Sequence, residues 1–268
     1  MMTSSIHPSS IVEDGAQLGK GVRIGPFCHV GPRVVLGDGV ELISHVSLAG
    51  NTSIGPRTRI WPFASIGHEP QDLKYRGEEN SLRIGADCMI RENVTMNPGT
   101  AGDEGVTIVG DRCVFLTSSH VGHDCVLGNG VVFSNNVMLA GHCKVGDHVI
   151  IGGGAGIHQF CRIGNNAFVG GLAGVENDVI PFGMALGNRA YLGGLNLIGM
   201  KRAGISRESI HNTRRAFKEM FSGEKPLQEL VGGLDPELAA DPVVAMIRDF
   251  ILKGGDRAFC TPRNGREG

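Results

Sequence analysis

The chain repeats with a period of six. An apolar residue falls at Ile6, Val12, Leu18, Ile24, Val30, Leu36, Leu42, Leu48, Ile54, Ile60 and Ile66, returns at Ile84, Ile90 and Met96, and recurs every sixth residue from Val109 to Val175. A helix needs a 3.6-residue beat and a half-buried strand a beat of two, so neither accounts for the pattern. A six-residue repeat predicts a parallel β-helix, in which each short strand buries its anchor only by stacking on the coil beneath it. Three hexads make one triangular coil, so residues 18 apart (three times six) are expected to stack, at roughly the 4.8 Å strand spacing.

The fourth residue after each anchor is small or β-branched, as in Val22, Cys28, Val34, Val40, Val46, Val131, Val137 and Ala155, which fits a narrow prism. Gly follows the anchor in 14 of the 26 hexads, and is expected to serve corners with unusual backbone angles. The same phase turns Cys28, Cys88, Cys113, Cys125, Cys143 and Cys161 inward, where a thiol acts as a small hydrophobe. Unpaired thiols without a leader segment point to a reducing, cytoplasmic setting. No apolar run approaches the ~18 residues that would cross a membrane. A net charge of -2 gives no expectation of nucleic-acid binding.

Two segments interrupt the beat. Residues 68–83 are polar and charged and read as a loop ejected from a coil, a place where function concentrates. A shorter bulge at Thr100–Gly105 shifts the register. The beat stops after Asn188, so the expected organisation is a β-helix over residues 1–188 and a helical domain over residues 189–268. In that domain Ser206 opens a helix with Ile210, Arg214, Phe217 and Phe221 on one face, and Asp241-Pro242 starts another with Val243, Met246, Ile247, Phe250 and Ile251 buried. So small a unit is expected to pack against the β-helix or a neighbouring subunit.

Stacking also organises the polar residues. One column holds His123, Gly141 and Gln159; the next holds Asp124, His142 and Phe160; the third holds Gly122, Ala140 and His158. With His120 one hexad earlier, four histidines converge outside a solid prism, which no core requires. His7, His29, His45, His148 and His211 show no such convergence. A neutral imidazole removes a proton near working pH, Asp124 is placed to fix its tautomer, and the Gly141 N–H is unobstructed for an oxyanion. Base, orienter and oxyanion donor describe acyl transfer without a covalent enzyme intermediate.

The runs Ser118–Cys125 (SSHVGHDC), Leu139–His142 (LAGH), Ile157–Cys161 (IHQFC), Gln71–Tyr75 (QDLKY) and the stretch from Gly187 to Arg202 closely resemble the bacterial acyl-carrier-protein–UDP-N-acetylglucosamine O-acyltransferases, over essentially the whole chain. The resemblance implies a left-handed parallel β-helix, a mainly β fold with a C-terminal α-helical domain, and a homotrimer with sites between subunits. It implies transfer of a (R)-3-hydroxyacyl group from acyl carrier protein to the sugar 3-position of UDP-N-acetylglucosamine, the first step of lipid A synthesis. His123 matches the catalytic base, Asp124 its support and Gly141 the oxyanion donor. Asp72 and Lys74 match contacts to the acyl 3-hydroxyl and the nucleotide sugar. His120, His142, His158 and Gln159 match substrate contacts, Asn196 and Arg202 nucleotide contacts, and Gly171 the position that limits acyl length. No metal or cofactor is implied beyond the carrier's phosphopantetheine, which belongs to the donor substrate.

The chain departs from the family pattern at Asn97-Pro98, where a His-Arg pair is usual, at Ile198 in place of a Glu, and at Ala203 in place of a second Arg. A 3-amino analogue of the sugar is the alternative acceptor. A zinc hydro-lyase of the carbonic-anhydrase type, with His120, His142 or His158 as ligands, is a rival on the same fold. A related N-acyltransferase is disfavoured because the repeats begin at Ile6, and a purely structural β-helix leaves the histidines without a role.

Overall fold

The computed structural model describes residues 4–263, so the last five residues of the expected helical domain lie outside it. Mostly two-residue strands, each one outward residue and one anchor, build three faces that are parallel up to the final hairpin. The first runs in 11 strands from Ser5–Ile6 to Tyr191–Leu195, the second in nine from Ile11–Val12 to Gly174–Val175, and the third in eight from Gln17–Leu18 to Arg162–Ile163. Register follows the stacking rule: Ile24 pairs with Leu42, and Val121 with Leu139. From Ile24 onward the anchors are buried with their small partners. In the first coil Ile6 remains exposed and Val12 and Leu18 are half-buried, because no coil lies beneath them.

The two interruptions enlarge coils without breaking the faces. Ile54 pairs with Ile84 across the ejected loop, and Ile84 with Val109 across the bulge. All seven cysteines are free and buried, Cys260 included.

The corners correct the expectation about glycine. Left-handed backbone falls mainly three residues after the anchor, where it is carried by ordinary residues such as Phe27, His45, Asp124 and His142 as well as by glycines such as Gly21 and Gly39. The glycine beside the anchor serves close approach instead: a Cβ on Gly122 would sit 2.8 Å from the Gly141 nitrogen of the next coil. The cost of the left-handed corners is absorbed by ladder hydrogen bonds on both sides, as in His142, whose N–H donates to the His123 carbonyl at 2.9 Å.

The boundary expected at Asn188 falls inside a hairpin. Gly183–Leu186 continues the first face, and Tyr191–Leu195 pairs with it antiparallel, so sheet extends past residue 188. Five helices follow: α1 (Leu197–Arg202), α2 (Arg207–Met220), α3 (Leu227–Gly232), α4 (Pro236–Ala239) and α5 (Pro242–Leu252). Ser206 caps α2, its side chain accepting from the Ser209 N–H, but the buried face is Thr213, Ala216 and Met220, with Arg214 exposed. Ile210, Phe217 and Phe221 are half-buried and pack beside that face, so of the expected stripe only Arg214 is turned outward, as α2 packs against α3, α4 and α5. In α5, Val243, Val244, Ile247 and Ile251 are buried, while Met246 faces outward. The tail then returns to the β-helix, where Asp178 accepts from the Cys260 N–H and donates to the Ala258 carbonyl, both at 2.8 Å.

Candidate active site

His123 and Asp124 sit on the corner that leaves the second face after the strand His120–Val121. The ring of His123 is largely covered, its residue only 8 % exposed, and its Nδ1 lies 2.9 Å from Asp124 Oδ2. Asp124 is buried. Its Oδ1 accepts from the Thr100 N–H at 2.8 Å, its Oδ2 from the Thr100 hydroxyl at 2.7 Å, and its own N–H donates to Thr107 Oγ1. Burial pushes the Asp124 carboxyl up, but the hydrogen bonds from His123 and Thr100 and the charge of His142 outweigh it and hold it below the ordinary range. An ionised Asp124 bound to Nδ1 makes that nitrogen the donor and leaves Nε2 as the base.

Gly141 lies against the same ring, as the stacking rule requires: a Cβ there would meet His123 Cε1 and Nε2 at 2.6 Å. Its N–H has no acceptor among the described residues. The next column is also formed. His142 meets His123 edge-on at 4.9 Å between ring centres and stacks on Phe160 at 4.6 Å. His142 Nδ1 lies 3.2 Å from Asp103 Oδ2, and its Nε2 3.9 Å from Asp124 Oδ2.

A groove of about 700 Å³ runs along the second face and gathers His120, His123, Gly141, His158 and Gln159, with Gln71 and Asn97 at its margin. His120 Nδ1 is 2.7 Å from Thr95 Oγ1, and burial together with the nearby His123 lowers its pKa. His158 Nδ1 accepts from Arg257, which also donates to the Gln159 carbonyl. Gly171 lies on the corner that leads into Gly174–Val175, the last strand of this groove.

The remaining expected contacts lie elsewhere on the chain. Asn196, Ile198, Arg202 and Ala203 line a second groove of about 670 Å³ with His148, Ile150 and Phe168. Asn196 is the cap of α1, its side chain accepting from Gly199 and donating to the Asn166 carbonyl. Asp72 and Lys74 stand on the ejected loop outside both grooves, where Asp72 accepts from the Lys74 N–H. Asn97, one of the departures, is buried and pins the foot of that loop through bonds to the carbonyls of His68 and Glu69. Thr100, Asp103 and Arg257 are site residues that the hexad pattern missed. The insertion displaces the first two from their columns, and Arg257 reaches the site from the tail with no periodic signal.

The histidines of the zinc alternative do not converge: His120 faces Thr95, His142 faces Asp103 and His158 faces Arg257. Among the described residues, the ligand-type atoms that come within 4.8 Å of one another belong to His123, Asp124 and His142. Both oxygens of that Asp124 already accept from Thr100.

A buried His–Asp pair whose imidazole faces a free glycine amide, set in an open groove on a hexapeptide β-helix, defines an acyltransferase of the β-helix class. Residues 178–260 match the family model described as UDP N-acetylglucosamine O-acyltransferase, domain 2. The chain is 68% identical over 263 residues to the acyl-[acyl-carrier-protein]–UDP-N-acetylglucosamine O-acyltransferase of Methylobacterium radiotolerans, covering 98% of this chain and 97% of the relative. LpxA of Acinetobacter baumannii matches with a TM-score of 0.92 at 38% identity, over 96% of this chain and 99% of the other. The UDP-N-acetylglucosamine O-acyltransferase of Moraxella catarrhalis gives 0.91 at 39%, over 95% and 99%. The chain belongs to the acyl-[acyl-carrier-protein]–UDP-N-acetylglucosamine O-acyltransferase family.

Proposed function

We propose that this chain moves an acyl group from acyl carrier protein to the 3-hydroxyl of UDP-N-acetylglucosamine, opening lipid A synthesis, with His123 as general base. The acyl transfer is the activity for which its relatives are named. The observation that carries the residue roles is the 2.9 Å contact of His123 Nδ1 with Asp124, beside the Gly141 amide. With Nδ1 engaged, Nε2 takes the proton of the sugar hydroxyl as its oxygen attacks the thioester carbonyl. The Gly141 N–H receives the oxyanion of the tetrahedral intermediate. Collapse breaks the C–S bond, and the imidazolium returns its proton to the departing phosphopantetheine thiolate. No nucleophilic side chain takes part, in keeping with the inward thiols.

The donor is a (R)-3-hydroxyacyl chain, laid in the groove of the second face toward Gly171, with His120, His142, His158 and Gln159 around the reacting groups. Asn196 and Arg202 hold the nucleotide. Their groove is separate from that of His123, and Asp72 and Lys74 lie outside it although Gln71 of the same loop reaches its margin, which supports a homotrimer with sites completed between subunits. No cofactor is required, and the enzyme works in the cytoplasm, where acyl carrier protein resides. Among the described residues no helix is long and apolar enough to cross a membrane.

The test is mass spectrometry of products from purified protein given UDP-N-acetylglucosamine, its 3-amino analogue and a mixture of 3-hydroxyacyl carrier proteins. An ester of the hydroxyl sugar is expected, its mass giving the chain length. An amide formed only on the analogue would change the acceptor, and no product from either would overturn the reading. His123→Ala should lower the rate by roughly 10²–10⁴ with the fold intact.

A further inference from the structure

Asp124 stands between two histidines, and something must decide which of them it serves. Its Oδ2 is 2.9 Å from His123 Nδ1 and 3.9 Å from His142 Nε2. A carboxylate turning about its Cβ–Cγ bond could exchange one partner for the other. Two of the three side-chain hydrogen bonds to it come from a single residue, Thr100, through its amide to Oδ1 and its hydroxyl to Oδ2. Those bonds approach different oxygens, so together they lock the plane of the carboxylate as neither could alone.

The surrounding chain is shaped to make this grip possible. Thr100 opens the bulge that lengthens this coil, and Thr107, just past it, holds the Asp124 N–H at 2.8 Å. A Cβ on Gly99 would sit 2.6 Å from Asp124 Oδ1, so a larger residue there would displace the oxygen from the Thr100 amide. The bulge also carries Asp103 to His142 Nδ1, giving that ring a carboxylate of its own. Thr100 is buried, and its hydroxyl has no other acceptor among the described residues.

We infer that Thr100 is a positioning residue for the transfer: it commits Asp124 to His123 and thereby holds the base in its Nδ1–H tautomer with Nε2 free. The inference rests on His123 as the base, so its test includes a signal that does not depend on turnover.

Full-length protein with ¹⁵N-labelled histidine is compared as wild type, Thr100→Val and Thr100→Ser. Valine keeps the shape and the amide but removes the hydroxyl. In Thr100→Val the His123 nitrogens should move from the signature of one tautomer toward an average of two. kcat should fall about 10- to 100-fold, the scale of one hydrogen bond to a charged group, while KM for the sugar nucleotide stays within about twofold because binding groups are untouched. Thr100→Ser should restore both signals. If valine prevents folding, Thr100→Ala supplies the same readouts. An unchanged tautomer in the hydroxyl-free variant, or a loss that serine does not recover, overturns the inference. Near-normal activity in His123→Ala would instead remove the base assignment, leaving the Thr100 grip to be decided by the tautomer signal.

Discussion

Gly141 is the residue at which one methyl group would do most damage to the chemistry. The Cβ of an alanine would lie 2.6 Å from two atoms of the His123 ring, so the imidazole must turn away from Asp124. We expect Gly141→Ala to lower kcat by about 10²-fold, the scale of an ångström-sized misplacement, while the melting temperature barely moves. Normal turnover would show that the ring has another productive position. Gly171 poses the opposite case, since it is exposed and the nearest atom to an added Cβ is the Gly153 carbonyl at 3.3 Å. Gly171→Met should fold and favour shorter acyl donors in competition assays, and an unchanged preference would separate this corner from the acyl groove. The columns of His123 and His142 were legible because each residue in them keeps the 18-residue stacking distance. Thr100 and Asp103 were not, because they sit in the bulge itself, which puts Thr95 opposite His120. Arg257 is contributed by non-repeating chain, where spacing carries no information about contact.

At the scale of elements, the second position after the anchor shows how one periodic site acquires different roles at different corners. At the corner after the second face it holds His123. After the third face it holds Asp38, Asp111, Asn129, Asp147 and Asn165, whose side-chain oxygens accept backbone N–H groups from the coil before. Asp111 donates to Asn129 at 2.9 Å, Asn129 to Asp147 at 2.6 Å, and Asp147 to Asn165 at 3.0 Å. This ladder satisfies corner amides that no strand can pair. Asn129→Ala would strand the Asp111 N–H and should cost about 1–2 kcal/mol, measured by denaturant unfolding; no loss would mean that water replaces the side chain. The polar bias was visible in the hexads, but its purpose was not, since a row of Asp and Asn outside a prism reads equally as solvated surface. Helix starts were more legible than helix faces. Asp241 caps α5 as its Asp-Pro signature requires, and also accepts from Ser209 Oγ at 2.8 Å, so the same carboxylate ties α5 to α2. In α2 the apolar members of the expected stripe do pack on the core while Arg214, which shares their spacing, is exposed, and only the packing of α3, α4 and α5 reveals Thr213, Ala216 and Met220 as the fully covered side.

For the molecule as a whole, the β-helix is a one-dimensional stack in which every coil is stabilised by its neighbours. The tail closes the far end: Arg162 and Asp178 form a 2.6 Å ion pair, with the Arg162 guanidinium over the Phe250 ring, and Leu192 donates to the Thr261 carbonyl. Protonation at any coil is therefore felt in the unfolding of the stack. His68 and His120 both have pKa values below the ordinary histidine value, in each case first through burial and then through a neighbouring histidine, His29 for His68 and His123 for His120. Above the unfolded value of about 6.5 both states are neutral and the two residues leave stability independent of pH. As pH falls below it, the unfolded chain binds protons that the folded chain refuses, so stability is lost down to the lowered folded values. Asp178, raised mainly by burial, acts in the opposite sense over its own range, stabilising the fold as pH falls there. Comparing variants separates the contributions, because Asp178 is common to both. Unfolding midpoints from pH 8 to pH 5.5 should therefore decline on the acid side in the wild type and decline less in a His68→Asn/His120→Asn double variant. Equal declines in the two proteins would place the acid sensitivity elsewhere in the stack.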